Sequence, residues 1–357
     1  MAVQTLRLVF CGMGNVGRSF LTIMQSQAAL LRERHGIVLK LVGAVDSGGA
    51  AVDADGLDPA VLLACKQAGK SVANLLNVGQ PGLSGPQLAA TIDADILLEA
   101  TPVNLTDGQP GLETCQIALR RGMSVVLANK GPLALAYQDL AILSDMAEPS
   151  DERGSSSDWP ALRFSACVGG SMPTINIGRR DLAGARIERV EAVLNGTTQG
   201  ILRAMEQGIP YAEALAEMQR RGLAETDPTL DVEGWDAANK LTIVANAVLR
   251  RPTTLREVAV EGITKLSAEL LREHVERGER IVLLCLAERD GDDYRLSVRP
   301  TPLPIYHPLA RMSDDEMGLV YYTDIAGVQT ATTMERDPLP TAAAMLRDVI
   351  DIAGRRS

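Results

Sequence analysis

The feature that most constrains this chain is a glycine pattern near its start. Cys11-Gly12-Met13-Gly14-Asn15-Val16-Gly17-Arg18 contains GxGxxG and directly follows the short apolar run Leu6–Phe10. The next stretch carries Phe20, Leu21, Met24, Ala28 and Leu31 at three- and four-residue spacing, which predicts a helix over Arg18–Leu31. In a strand–turn–helix each glycine serves a different purpose. Gly12 permits the tight turn, Gly14 lets the backbone approach a pyrophosphate, and Gly17 lets the helix pack close to the strand. The N–H groups and positive dipole end of the helix then suit phosphates. Met13, Asn15 and Val16 complete the loop and join the three glycines as cofactor-binding candidates. A glycine turn without a ligand is the competing reading, and the surrounding βαβ texture argues against it.

That texture continues through the first third. Leu39–Val45, Ile96–Ala100 and Ser124–Ala128 read as strands, and Pro59–Gly69 and Gly111–Arg121 as helices between them. Alternation of this kind implies a parallel sheet with helices on both faces. Glu148–Pro160 (EPSDERGSSSDWP) reads as a surface loop, and Phe164–Val168 as one more strand. Beyond the Gly169-Gly170 pair the pattern becomes α+β. Ile187–Leu194, Glu279–Arg289, Tyr294–Arg299 and Met317–Tyr322 suggest strands, and Ile201–Gln207, Tyr211–Arg221, Trp235–Leu249 and Thr341–Ala353 suggest helices. A length of 357 residues suits two domains. The expected architecture is an α/β Rossmann-type nucleotide-binding domain over 1–170 and an α+β substrate and dimerisation domain over 171–300.

Charge narrows the partners. With 35 Lys+Arg against 45 Asp+Glu the formal net charge is −10, which argues against nucleic acid and anionic membranes. No signal peptide or membrane span is visible. The five cysteines are odd in number, widely spaced and without a CxxC pair, so a disulfide framework or zinc site is not indicated and a reducing cytoplasm is expected.

Asp46 ends the second predicted strand, 29 residues after Gly17. An acidic residue there can bond the ribose 2′-hydroxyl and repel a 2′-phosphate, which leans toward NAD over NADP. The start of an Asp46-Ser-Gly-Gly turn is the alternative. Asn129 and Lys130 follow the strand ending at Ala128, where residues face the ligand crevice; a surface lysine before a Gly-Pro turn competes with a catalytic one. The densest stretch is Gly222–Lys240, with five carboxylates at Glu225, Asp227, Asp231, Glu233 and Asp236. Asp236 and Lys240 are four apart on one helix face. Alone they read as an ordinary solvated ion pair worth a few tenths of a kcal/mol. Together with Lys130 they suggest a site for a small zwitterion.

In this order the motifs resemble homoserine dehydrogenase. They are GMGNVG, EATP (Glu99–Pro102), VVLANKGPLA (Val125–Ala134), VGGSMPTIN (Val168–Asn176), LNGTT (Leu194–Thr198), AETDPTLDVEGWDAANKL (Ala224–Leu241) and TAAAMLRD (Thr341–Asp348). The resemblance implies NAD- or NADP-dependent interconversion of L-homoserine and L-aspartate 4-semialdehyde in threonine and methionine biosynthesis. By position, Lys130 and Lys240 would flank the reacting oxygen, one of them carrying the proton, and neighbouring ammonium groups would lower each other's pKa. Glu225 and Asp236 would bind the amino acid and position Lys240, with Asp231 in support. Thr197 and the Asn195-Gly196 turn would line the substrate, and Thr101-Pro102 would pack beside the nicotinamide.

The resemblance also implies a homodimer through the second domain's sheet and a C-terminal segment, 301–357, returning to the first domain. It further implies a monovalent cation, Na+, at the Val168 and Gly170 carbonyls. Two positions depart from the family pattern in sequence. Ser165 replaces the usual cation-binding glutamate, and Gln199-Gly200 replace the usual Asn-Tyr after NGTT. No regulatory ACT domain is expected after the returning helix. A related semialdehyde reductase and a non-catalytic NAD-binding regulator are the alternatives.

Overall fold

A computed structural model describes residues 3–147, 159–221 and 224–355. Most of the expected 148–160 loop therefore lies outside the described residues, as do Gly222 and Leu223 of the acidic stretch. The chain divides into two units, Met1–Ser171 with Asp337–Ser357, and Met172–Arg336.

In the first unit, β1 (Gln4–Cys11), β2 (Ile37–Asp46), β3 (Gly49–Val52), β4 (Gly79–Pro81), β5 (Ile96–Glu99), β6 (Ser124–Leu127) and β7 (Leu162–Arg163) form one sheet in the order β4-β3-β2-β1-β5-β6-β7. The five strands from β2 to β7 in that order are parallel, while β3 and β4 add an antiparallel edge absent from the sequence reading. Those two strands are short, Gly-Ala-Ala-Val and Gly-Gln-Pro, so they carry no alternation of apolar and polar residues. The register aligns Cys11 with Glu99 and Glu99 with Leu127, so the carboxyl ends of β1, β5 and β6 finish level.

Two local expectations are corrected. The single helix expected over Arg18–Leu31 is two helices, Asn15–Ser26 and Ala28–His35. Phe164–Val168 is not a strand: β7 ends at Arg163, and Ser165–Cys167 is a turn of 3₁₀ helix.

The helix Leu339–Arg355 packs on the first unit. Ala342, Ala344, Met345, Val349, Ile352 and Ala353 join the core made by Leu6, Leu8, Phe10, Phe20 and Leu21. Its Asp348 is 1% exposed and accepts from the Ser165 backbone N–H (2.8 Å) and hydroxyl (2.6 Å). Residues 301–336 do not follow this helix, contrary to expectation. The strand Asp293–Pro304 takes up their start, and the strands Glu316–Thr323 and Val328–Met334 belong to the second sheet, because their residues complete an antiparallel ladder there.

In the second unit, β8 (Ile187–Val193), β9 (Val258–Val260), β10 (Glu279–Asp290), β11 (Asp293–Pro304), β12 (Glu316–Thr323) and β13 (Val328–Met334) are ordered β13-β12-β8-β10-β11-β9. Every pairing is antiparallel except β11 with β9. The helices Gly196–Glu206 and Trp235–Ala247 pack against β10. Among the described residues no helix is long and apolar enough to cross a membrane.

Burial pushes the Asp348 carboxyl up to about 6, and the hydrogen bonds from Ser165 only partly offset it. The folded value exceeds the ordinary one, so the folded chain takes up a proton that the unfolded chain does not as pH falls from about 7 toward 5. This group therefore stabilises the fold more at pH 5 than at pH 7.5, by about 1.4 kcal/mol. Urea unfolding of the parent and Asp348→Asn at both pH values should show the parent gaining that margin on acidification. An unchanged margin would exclude Asp348 as the titrating group.

Candidate functional site

In the first unit the site begins with the glycine turn. Gly12 sits at φ 101°, and a Cβ there would overlap the Ala100 carbonyl. A Cβ on Gly17 would overlap the Gly12 carbonyl, so this glycine sets how closely the helix Asn15–Ser26 approaches the turn. Nothing described stands near a Cβ on Gly14, which leaves room for a ligand to reach the backbone. Gly14 is also the N-cap, and no side chain caps this helix, so its first N–H groups remain available to an anion. Met13 is buried and Asn15 is exposed with its side chain on Arg18, while Val16 is half-buried.

Asp46 is more engaged than the sequence suggests. Its carboxylate accepts from Lys66 Nζ (2.5 Å), Ser71 Oγ (2.6 Å), Val72 N (3.0 Å) and Gly48 N (3.0 Å). Burial raises its pKa, but these four donors outweigh that and hold it below the usual carboxylate range. It is thus both the start of the 46–49 turn and an ionised group at the end of β2. Lys66 is the part that sequence spacing could not supply.

The level strand ends carry a second cluster, around Glu99. This carboxyl is fully buried, and its Oε1 accepts from the Thr101 N–H (2.9 Å), the Thr101 hydroxyl and, more weakly, Asn129 Nδ2 (3.4 Å). Asn129 Nδ2 also donates to Thr101 Oγ1 (3.1 Å), and its Oδ1 accepts from Gly131 N (2.9 Å). Lys130 is the N-cap of the helix Gly131–Ala141. Glu99 therefore ties the Thr101-Pro102 turn to the Asn129-Lys130 turn. Burial pushes its pKa up, against the pull of the Thr101 and Asn129 donors. Sequence reasoning passed over Glu99 as the end of a strand; an acidic residue closing an otherwise apolar run was the available signal.

In the second unit, Asn195 is 6% exposed and N-caps the helix Gly196–Glu206, its Oδ1 accepting from Thr198 N (2.9 Å). Its Nδ2 donates to Asp231 Oδ1 (2.6 Å) and to Asp236 Oδ2 (2.9 Å). The same Asp236 oxygen accepts from Lys240 Nζ (2.7 Å), which also donates to the Leu194 carbonyl (2.5 Å). The Asp236 and Lys240 side chains are only 13% and 12% exposed. The pair is therefore a desolvated part of a four-residue network rather than a solvated surface bridge. Two of the three Nζ hydrogens are committed, leaving the third for a ligand oxygen. Gly234, at φ 85°, lets the chain turn into the helix Trp235–Ala247 that presents Asp236 and Lys240.

Gly196 and the buried Thr197 open the helix beside Asn195. Glu225 stands apart: it is exposed, and among the described residues its carboxylate makes no hydrogen bond to this network, its backbone carbonyl accepting from Gln219 Nε2.

Val168 and Gly170 flank Gly169, with both glycines at positive φ (79° and 58°). Ser165, where a carboxylate would support a cation, donates its hydroxyl to Asp348. The loop thus offers only neutral carbonyls. Among the described residues no group of three His, Cys, Asp or Glu could hold a metal.

Residues 173–350 match the homoserine dehydrogenase family model. A homoserine dehydrogenase of Methanocaldococcus jannaschii is 34% identical over 97% of this chain and 98% of its own length. An NAD(+)-dependent homoserine dehydrogenase of Pseudomonas canavaninivorans is 33% identical over 97% and 96%. The crystal structure of a homoserine dehydrogenase from Thiobacillus denitrificans superposes with a TM-score of 0.81 at 28% identity, over 99% of this chain and 74% of that one.

Asn195 both caps a helix and separates two carboxylates. Replacing it with Ala removes a cap worth about 1 kcal/mol and leaves Asp231 and Asp236 without their shared donor, for a total near ~2 kcal/mol. Urea denaturation of Asn195→Ala should show that loss, and a loss below ~0.5 kcal/mol would contradict the network.

Proposed function

The chain belongs to the homoserine dehydrogenase family, and from that premise we propose how its own residues perform the reaction. The reaction is the NAD(P)-dependent interconversion of L-homoserine and L-aspartate 4-semialdehyde. The observation that carries the assignment of roles is the Asn195–Asp231–Asp236–Lys240 network. A buried ammonium with a free N–H, oriented by a carboxylate, is suited to hold and protonate an oxygen at the reacting carbon.

The nicotinamide, when bound, supplies or accepts the hydride. Gly12, Gly14 and Gly17 with Met13, Asn15 and Val16 would hold its pyrophosphate through backbone N–H groups. Thr101-Pro102 and Asn129, fixed by Glu99, would form the wall for its ring. In the reductive direction Lys240 donates a proton to the aldehyde oxygen as the hydride reaches the carbonyl carbon, giving the alcohol. In the oxidative direction the reverse holds: Lys240 enters as the neutral amine that proton donation leaves, and takes the hydroxyl proton as the hydride departs. Asp236 and Asn195 orient Lys240. Lys130 is the second acid–base candidate for this chemistry, and Thr197, Gly196 and Asp231, with Glu225, are the candidates for binding the amino-acid end. No step is routed through a cation at Val168 and Gly170.

NAD is proposed as the favoured cofactor because Asp46 is ionised at the end of β2, where it opposes a 2′-phosphate. Lys66, paired with it, weakens that opposition. The reading extends to a cytoplasmic homodimer serving threonine and methionine biosynthesis; the five buried, unpaired cysteines suit a reducing compartment.

Lys240→Ala and Lys130→Ala should each lower kcat by ~10²–10⁴, the range for loss of a general acid–base group, with NAD binding by fluorescence unchanged. Near-parental turnover in both would remove the lysines from the chemistry. Lys66→Ala should raise the NAD-over-NADP preference in kcat/KM by several-fold, about 1 kcal/mol. An unchanged ratio would show that Asp46 does not read the ribose.

A further inference from the structure

The second unit holds a cleft of about 420 Å³ along the later turns of the helix Gly196–Glu206. Arg203 lies eight residues from Asn195, roughly 12 Å along the helix axis, so the cleft is separate from the Lys240 network. Its inner polar wall includes Arg203, Glu206 and Arg280, with Glu217, Arg221 and Asp314 at the rim; Gly200, Ala204, Met218 and Met312 make the apolar part.

The charges in this wall do not balance. Arg203 is 8% exposed and Glu206 7%. Arg203 Nη1 stands 2.7 Å from Glu206 Oε1, and Arg280 Nε stands 3.3 Å from Glu206 Oε2. One buried carboxylate thus serves two guanidinium groups, an excess of one positive charge. The remaining contacts are neutral acceptors: Arg203 Nη2 donates to the Ile281 carbonyl (2.7 Å) and Arg280 Nη1 to the Ala310 carbonyl (3.1 Å). Arg203 Nε is buried with no hydrogen-bond partner among the described residues, and the Nη1 contact with Glu206 is close but poorly directed for a hydrogen bond. Burial and then Arg280 push the Arg203 pKa down to about 10, against the pull of Glu206. The rim cancels itself, with Arg221 on Asp314 (3.5 Å) and Arg220 on Glu217.

Arg203 is buried and Arg280 partly so, its side chain 27% exposed; two guanidinium groups sharing one carboxylate in partial desolvation are satisfied by one further negative charge in a planar, two-oxygen group. A dianion would overshoot the excess and leave a buried negative charge. The apolar wall is adaptable, because methionine side chains repack around varied ligands, and Gly200 leaves the helix surface bare where a Cβ would press on Met218 Sδ. We propose that this cleft binds a small aliphatic monocarboxylate, its carboxylate on Arg203 and Arg280 and its tail against Met218, Met312 and Ala204.

The test is calorimetric titration of the full chain with sodium valerate, with acetate, phosphate and chloride at matched ionic strength. Valerate should bind saturably, at least ~10-fold tighter than acetate or phosphate. Arg280→Gln should weaken it by ~10-fold or more, as expected for one charged hydrogen-bonding partner. Ala204→Leu, which fills the cleft and leaves every charge in place, should abolish binding. Both variants should keep homoserine turnover within about twofold, because neither residue touches the Lys240 network. Tighter binding of phosphate, equal binding of acetate, undetectable valerate binding, or undiminished binding in Ala204→Leu would each overturn the proposal.

Discussion

The second unit depends on keeping one lysine ammonium charged in a largely buried place. Removing an ammonium from water costs several kcal/mol unless charge and hydrogen bonds replace the lost hydration. Here Asp236 supplies the charge and the Leu194 carbonyl a second acceptor. That solution creates a further requirement, since Asp236 must be held in turn. Asn195 does so with the same side chain that caps the helix Gly196–Glu206 and reaches Asp231. The end of β8, two helices and the acidic stretch before the second helix are thereby joined at one asparagine. Local folding and chemical positioning become a single problem.

The first unit solves a similar problem with a buried acid. Glu99 ends β5 level with the ends of β1 and β6, and its Oε1 gathers Thr101 and Asn129. The turns that carry Thr101-Pro102 and Lys130 are separated by a whole helix in sequence. The carboxyl fixes one against the other. The helix Leu339–Arg355 is anchored in the same manner through Asp348 on Ser165. In this chain buried carboxyls act as fasteners between segments distant in sequence.

Much of this was legible in the residues. The GxGxxG turn needs glycine for reasons visible in the backbone, and the carboxylate-rich stretch ending in Asp236 and Lys240 pointed to the later network. What the sequence hid was pairing across distance. Nothing local shows that Lys66 and Ser71 close on Asp46, that Asn195 bridges two carboxylates, or that Glu99 binds Asn129. Each joins residues 20 or more positions apart, where periodicity carries no information. The edge strands β3 and β4, four and three residues long, are too short to show a pattern. The Ser165–Cys167 turn was read as a strand because its burial looks the same in one dimension.

The central claim is that Asp236 acts through Lys240 rather than beside it. A double-mutant cycle in kcat/KM, followed by NAD(P)H absorbance with L-homoserine, tests it most directly. Asp236→Asn, Lys240→Ala and the combined variant are compared with the parent. If Asp236 works through the lysine, the combined variant loses no more than Lys240→Ala alone, as for residues that function as a unit. Losses that simply add would show two independent roles and contradict the account.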